Sequence, residues 1–169
     1  DGSVLITTDE RSGAFVAAYD VTDLTDIKEL DRYRSNAQLG VIPHNTFFLG
    51  DFIFTSYYRD GVIMVDATFP DNLVETGYYD TSPFPSGPGF EGCWGVYPYF
   101  SNGLIVASDR EQGLFVLQPK LKRGAYLEGN IEDAGTGSPV INAKVEVIGT
   151  PVQEFTDLFG NYKTGVADS

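Results

Sequence analysis

Internal repetition constrains the fold of this chain more than any other feature of its sequence. Three segments share one plan, in which an apolar stretch ends in Ser or Thr, four variable residues follow, and a Gly then precedes a second apolar stretch. The glycines of the three segments, Gly13, Gly61 and Gly113, lie 48 and 52 residues apart. A repeat of about 50 residues indicates supersecondary units that bury their apolar faces only against one another.

A second match extends the repeated unit. Residues 20–33 and 66–79 have equal length, and both begin with the pattern Asp-x-Thr and end in Tyr. Their alignment places Glu29 opposite Glu75. The predicted unit is therefore a hairpin closed by Gly, an Asp-x-Thr turn and an outer strand, which is most of a four-stranded propeller blade.

The short apolar runs are rich in β-branched and aromatic residues and are separated by Gly, Asp, Asn and Pro, as is typical of strands. The best helical candidate, residues 24–34, lacks length and a C-cap. We predict an all-β chain: a partial β-propeller of about three blades of four antiparallel strands, followed by part of a small β-sandwich. Because a ring needs roughly four to eight blades, the remaining blades would come from a missing part of the parent chain or from other chains.

Composition excludes several classes of protein. The chain carries 11 Lys and Arg against 24 Asp and Glu, a net charge of -13, so it lacks the basic surface that grips nucleic acid or anionic membrane. Its 42% hydrophobic residues argue against disorder, and it contains no apolar run long enough to insert into a membrane. With Cys93 as the one cysteine, neither an intrachain disulfide nor a zinc site of several thiolates can form.

Several segments in order carry a resemblance to a known family. These segments are DVTDLTDIKELDRY, GVIMVDATFPDNLVETGYYDTSP, IPHNTFFLG, GCWGVYPYF and SDREQGLFVLQP. The first two resemble the LVIVD repeat, and the combination is similar to the choice-of-anchor B family of bacterial secreted proteins, over residues 1–121. The resemblance implies a β-propeller and export to the cell surface or medium, and it implies no chemistry.

After Pro119 the blade plan ends, and the chain's one basic cluster, residues 120–123, follows. We place a domain boundary there. Residues 122–169 resemble the carboxypeptidase regulatory-like module, a transthyretin-like β-sandwich, but are too few for a complete one. The absence of an initiator Met and the shortness of this module predict a fragment of a larger secreted protein.

Equal offsets in successive blades would gather equivalent loops on one face, where a ligand could bind. The candidate ligand-binding residues on this face are His44, Asn45, Tyr57, Tyr58, Arg59, Trp94 and Tyr97. The candidate Ca²⁺ ligands are Asp9, Glu10 and Asp109, because carboxylate oxygens suit this ion. Against this stands the simpler interpretation that these residues are solvated hairpin tips, with Arg59 paired to a neighbouring carboxylate.

Individual residues also have two interpretations. His44 is the sole histidine and no Gly-x-Ser-x-Gly motif accompanies it, which disfavours nucleophilic catalysis; it either bonds a neighbouring blade or contacts a ligand. The aromatic cluster of Trp94, Tyr97, Tyr99 and Phe100 is interpreted as core between blades, with a carbohydrate or peptide platform as the alternative. Cys93 is predicted to be a small buried hydrophobe.

Two functions remain open at this stage. The first is a non-catalytic, extracellular or cell-surface scaffold or binding protein, with other cell-envelope or extracellular proteins or carbohydrate as partners. The second is an extracellular hydrolase or lyase that uses a ring of carboxylates and His44 at the mouth of a propeller channel. The enzyme needs a solvent-facing carboxylate pair in a deep pocket, whereas the binding protein does not. Apart from Ca²⁺, the sequence predicts no cofactor.

Overall fold

The computed structural model describes residues 2–168, which form fourteen strands. The predicted all-β class is confirmed, and no helix of this part of the chain is long and apolar enough to cross a membrane. The strands are β1 (Val4–Thr8), β2 (Val16–Asp20), β3 (Lys28–Tyr33), β4 (Thr46–Leu49), β5 (Phe52–Ser56), β6 (Val62–Asp66), β7 (Val74–Tyr79), β8 (Cys93–Tyr97), β9 (Ile105–Asp109), β10 (Gly113–Leu117), β11 (Gly124–Asn130), β12 (Lys144–Glu146), β13 (Gln153–Phe155) and β14 (Asn161–Ala167).

The repeats form three antiparallel sheets of consecutive strands. Sheet 1 has the order β1-β2-β3, sheet 2 the order β4-β5-β6-β7, and sheet 3 the order β8-β9-β10. The prediction of four strands in each unit is therefore wrong for sheets 1 and 3. Within residues 2–168, sheet 1 lacks a counterpart of β4 and sheet 3 lacks a counterpart of β7. Residues 118–123 lead away from β10 to β11, which pairs with β14 instead.

Local chemistry repeats along with the strands. Asp20 Oδ1 accepts hydrogen bonds from the backbone N and the hydroxyl of Thr22 at 2.9 and 2.6 Å, and Asp66 Oδ1 accepts the same pair from Thr68 at the same two distances. These are Asx turns, and both predicted Asp-x-Thr turns are confirmed. The pairing of β2 with β3 and of β6 with β7 also shifts register at equivalent positions, after Ala18 and after Met64.

The repeated glycines occupy left-handed backbone conformations. Gly13, Gly61 and Gly113 have φ of +71°, +76° and +86°, which a side chain would strain. At Gly61 an added Cβ would also lie 2.2 Å from the carbonyl oxygen of Tyr79. The predicted backbone conformation is confirmed for all three glycines, and Gly61 is the most constrained of them. The predicted equivalence of the hairpins holds for Gly61 and Gly113, which directly precede Val62 and Leu114, but not for Gly13, which lies three residues before Val16.

Two apolar cores lie between successive sheets because neighbouring residues of a strand point to opposite faces. On β5, Ile53 belongs to the core between sheets 1 and 2, and Phe54 belongs to the core between sheets 2 and 3. On β6, Ile63 and Val65 face the first core while Val62 and Met64 face the second. Sheet 2 is therefore covered on both faces.

The C-terminal residues form two small sheets, β11 with β14 and β12 with β13. No sheet continues from β10 into β11, and residues 118–123 belong to no strand. The module is nevertheless attached to sheet 2: β14 and β11 pack against β7. The backbone N of Gly124 donates to Asp66 Oδ2 at 2.8 Å, and Arg123 pairs with Asp51 at 2.8 Å.

Candidate binding site

The candidate site is built from residues at equivalent repeat positions. The backbone of Asn45 pairs with Ser56, and Gly95 pairs with the equivalent residue Ser108. His44 directly precedes Asn45 and Trp94 directly precedes Gly95. His44 and Trp94 therefore occupy the same place in sheets 2 and 3. Glu10 and Tyr58 each lie two residues after the last residue of the strand before them, β1 or β5. We call the four side chains Glu10, His44, Tyr58 and Trp94 the Glu10–Trp94 cluster.

A repeated hydrogen bond between sheets fixes the position of this cluster. The hydroxyl of Thr8, the last residue of β1, donates to the carbonyl oxygen of His44 at 2.7 Å. The hydroxyl of Ser56, the last residue of β5, donates to the carbonyl oxygen of Trp94 at 3.4 Å. Because the two bonds join equivalent residues of successive sheets, equal offsets in sequence become neighbouring positions in space.

The side chain of His44 contacts each of the other three. The rings of His44 and Trp94 are stacked, with centroids 5.4 Å apart and planes inclined by 21°. His44 Nδ1 lies 2.7 Å from Glu10 Oε1, and the Tyr58 hydroxyl donates to the same oxygen. His44 thus contacts sheet 1 through Glu10 and sheet 3 through Trp94. The interpretation of His44 as a residue bonded to a neighbouring sheet agrees with this placement.

The hydrogen bonds also set the charges in the cluster. The hydrogen bond from Tyr58 holds the pKa of Glu10 below its ordinary value, with a further contribution from His44 and against the effect of burial. Burial and the Glu10 carboxylate raise the pKa of Tyr58, which therefore stays a neutral donor. Because an ionised Glu10 can only accept, His44 carries its proton on Nδ1.

The backbone of Tyr58 joins sheet 2 to sheet 3. Its N donates to the carbonyl oxygen of Cys93 at 3.1 Å, and its own carbonyl oxygen accepts from Cys93 N at 2.8 Å. Tyr58 has a φ of +35°, which is uncommon for a residue with a side chain. A Cβ on Gly92 would lie 2.4 Å from the Tyr58 carbonyl oxygen, so glycine is required at that position. The strained Tyr58 turn is held in place from both sides.

Part of the cluster remains open to solvent. Trp94 is 54% exposed although one face of its ring covers His44. Phe90 contacts the ring of Tyr58 edge to face at 5.3 Å and is itself 49% exposed, and the Asn45 side chain is exposed nearby in sequence. The site therefore combines an exposed flat apolar ring with an ionised carboxylate.

Two predicted site residues have structural roles instead. Tyr57 is fully buried in the core between sheets 1 and 2, because its side chain points opposite to that of Tyr58. Arg59 donates from Nε and Nη2 to Glu91 at 3.0 and 2.8 Å and covers the ring of Phe84 at 5.4 Å. This is the ion pair that the simpler interpretation predicted.

Tyr97 lies apart from the Glu10–Trp94 cluster. It is three residues along β8 from Trp94, which corresponds to about 10 Å. Its ring contacts Phe47, Tyr99 and Phe100. The interpretation of the aromatic run as core is wrong, because Trp94 is 54% exposed and Tyr97, Tyr99 and Phe100 are each 45% exposed. Cys93, in contrast, is buried as predicted, and burial raises the pKa of its thiol to about 12.

The predicted Ca²⁺ ligands do not converge. Asp9 forms an exposed ion pair with Arg11 at 2.6 Å. Asp109 is buried, where it accepts a hydrogen bond from the Thr81 hydroxyl and two from backbone N atoms of its own turn, at 2.8 to 2.9 Å. Of the three carboxylates, Glu10 is the one in the cluster, and residues 2–168 contain no group of acidic, His and Cys side chains that could hold a metal ion.

A polar cluster that sequence reasoning missed lies in a cleft of about 900 Å³ lined by sheets 1 and 2 and the C-terminal module. There the Tyr33 hydroxyl donates to Glu75, and buried Asp60 accepts from the hydroxyls of Ser35 and Ser86, both at 2.5 Å. Burial raises the pKa of Glu75 against the effect of the Tyr33 hydrogen bond. No sequence motif joins these residues. The one signal in the sequence was the acidic residue Glu75 within a segment predicted to form an outer strand.

Comparisons with protein-family models, with curated proteins and with solved structures gave no match to this chain. The resemblance to LVIVD repeats and to the carboxypeptidase regulatory-like module therefore stays a prediction.

Proposed function

We propose that this chain is a non-catalytic binding protein of the cell surface or extracellular medium, and that the Glu10–Trp94 cluster binds carbohydrate. The observation that carries the proposal is the convergence of side chains from three sheets on His44, whose ring lies against the exposed ring of Trp94.

Carbohydrate fits the chemistry of this surface. A pyranose ring presents a flat array of C–H groups that stacks on an exposed aromatic face, and Trp94 offers such a face. The hydroxyls of a sugar need fixed acceptors and donors. Glu10, with 43% of its side chain exposed, and the exposed Asn45 amide could supply them. The net charge of -13 favours a neutral sugar over an anionic one.

The arrangement favours binding over catalysis. A hydrolase of the alternative type needs a second carboxylate at a defined distance from the first. Asp9 is engaged by Arg11, and Asp109 is turned inward to Thr81. His44 and the Tyr58 hydroxyl both bind Oε1 of Glu10, which holds the carboxylate in one orientation and suits a rigid recognition surface.

The architecture that presents the site is proposed to be part of a β-propeller. Support comes from the series of three antiparallel sheets and from the repeated hydroxyl-to-carbonyl hydrogen bonds between them. The resemblance to exported LVIVD-repeat proteins supports the extracellular location. The two small sheets of residues 124–167 are compatible with part of a β-sandwich.

The test is a glycan-array screen followed by binding measurements on two variants. Trp94→Ala should lose at least tenfold in affinity for any glycan that the wild-type chain binds, since stacking on the ring is removed. Phe159→Ala is the matched control, because Phe159 is a 72% exposed aromatic residue in the C-terminal module. Equal affinity of Trp94→Ala and wild type would overturn the proposed site. Binding to envelope proteins alone would overturn the carbohydrate assignment.

A further inference from the structure

The two outer faces of the series of sheets expose apolar residues whose repeat equivalents are buried. Strand pairing places Val16 of β2, Val62 of β6 and Leu114 of β10 at one repeat position. Val16 and Val62 are 0% and 3% exposed, whereas Leu114 is 69% exposed. The first two lie in the cores between sheets, and the third faces outward from sheet 3.

The next inward position of the same strands repeats the contrast. Ala18 and Met64 are 0% and 6% exposed, and their equivalent Val116 is 60% exposed. Leu114 and Val116 therefore form the centre of an uncovered face that sheets 1 and 2 bury against the next sheet. An apolar face of this kind marks an interaction surface.

The complementary surface lies on sheet 1. Ile53 of sheet 2 and Ile105 of sheet 3 face the preceding sheet and are 0% and 3% exposed. Their equivalent on β1 is Leu5, which is 47% exposed. The faces of sheets 2 and 3 that include Ile53 and Ile105 cover Val16 and Val62. The equivalent face of sheet 1 is uncovered, and it lies at the opposite end of the series from Leu114.

We propose that two copies of this chain associate head to tail, with the Leu114/Val116 face of one copy packed on the Leu5 face of the other. The contact would repeat the packing already present between sheets 1 and 2 and between sheets 2 and 3. Two copies joined at both ends bring together six sheets, which is within the four to eight of a closed ring. The inference goes beyond the proposed function, because neither face includes the Glu10–Trp94 cluster.

Analytical ultracentrifugation of the whole chain over a range of concentrations tests this association. The wild type should sediment as a dimer. Val116→Asp and Leu5→Asp should each sediment as a monomer, because each places a charge in the contact. Leu158→Asp is the control, since Leu158 is 71% exposed in the C-terminal module and lies on neither face. Its dimer should be unchanged, and far-UV circular dichroism verifies that each variant is folded.

Mixing the two monomeric variants distinguishes head-to-tail packing from a symmetric contact. Val116→Asp keeps an intact Leu5 face and Leu5→Asp keeps an intact Leu114/Val116 face, so an equimolar mixture should recover heterodimers through one contact. A dimer that survives Leu5→Asp would indicate that two sheet 3 faces pack together, which overturns the proposal. A wild-type chain that remains monomeric at the highest attainable concentration also overturns it, whatever the variants do.

Discussion

Glu75 illustrates how a single buried side chain sets the pH dependence of the fold. It lies on β7 at the interface with sheet 1, where the Tyr33 hydroxyl donates to it. Burial raises its pKa, and the nearby Asp60 adds to this effect. Between the pKa of the unfolded chain and that of the folded chain, the folded state binds more protons, so ionisation of Glu75 makes stability fall as the pH rises through that window.

Glu75→Gln should remove this fall in stability. The amide oxygen can still accept from Tyr33, but the side chain no longer ionises. Urea unfolding at a series of pH values above about 4.3, the ordinary value for Glu, should show the wild type losing stability relative to the variant as the pH rises. Glu132→Gln, at an exposed position, is the control and should follow the wild type. Parallel curves for Glu75→Gln and wild type would contradict the prediction.

Gly61 and Gly113 separate two effects of an added Cβ. Both have positive φ, but Gly113 has open space around it whereas Gly61 lies against the backbone of Tyr79. Gly113→Ala should lose about 1 kcal/mol of stability from backbone strain alone. Gly61→Ala should lose about 2 to 4 kcal/mol, because the clash adds to the strain. Chemical denaturation measures both, and equal losses would show that contact with Tyr79 is unimportant.

The position of a side chain could be predicted from the sequence where the repeat determined its neighbours in space. The positions of Glu10, His44 and Trp94 followed from equal offsets, and these residues do meet. Tyr57 and Tyr58 are adjacent, and the repeat alone could not tell which of them points into the core. The inward turn of Asp109 depends on Thr81, a residue outside the aligned segments.

At the scale of strands, one buried carboxylate takes part in several of the contacts that attach the C-terminal module to sheet 2. The Asp66 side chain is fully buried and accepts from Thr68, from Gly124 N at 2.8 Å and from Arg123 at 3.3 Å. Burial disfavours the ionised carboxylate, but the hydrogen bonds from Thr68 and Gly124 favour it more strongly. The pKa of Asp66 is therefore below its ordinary value. Asp20 forms the same turn in sheet 1 without these contacts to the C-terminal module.

Asp66→Asn should therefore loosen the C-terminal module, whereas Asp20→Asn should not. Loss of the charge-assisted hydrogen bonds at Asp66 should cost about 2 to 3 kcal/mol. Limited trypsin digestion reports the change, because Lys120, Lys122 and Arg123 lie in the segment between β10 and β11. The Asp66 variant should be cut there faster than wild type and the Asp20 variant at the wild-type rate. Equal rates for all three chains would contradict this role of Asp66.

The individual strands and turns could be predicted from the sequence more fully than the number of strands in each sheet. The Asp-x-Thr turns and the glycine hairpins are local, and their residues determine them. The number of strands in each sheet is not local, since it depends on which segment adds to an edge. The pattern of residues 113–117 resembles that of β6, but nothing in it reveals that no outer strand follows.

At the scale of the whole molecule, the chain is a series of sheets with different surfaces at its two ends. Leu114 and Val116 are exposed at one end and Leu5 at the other, while their equivalents between the sheets are buried. The Glu10–Trp94 cluster spans all three sheets and depends on their relative positions. The proposed assembly and the proposed recognition are therefore separate consequences of one repeated geometry.

The fluorescence emission of Trp94 reports directly on binding at the cluster, because Trp94 is the one tryptophan of the chain. If the Glu10–Trp94 cluster binds carbohydrate, adding a glycan found in the array screen should shift or quench this emission. The midpoint of the change should equal the midpoint of the heat measured by calorimetry for the same glycan. Binding that releases heat but leaves the emission of Trp94 unchanged would contradict the account, because the ligand would then lie away from the cluster.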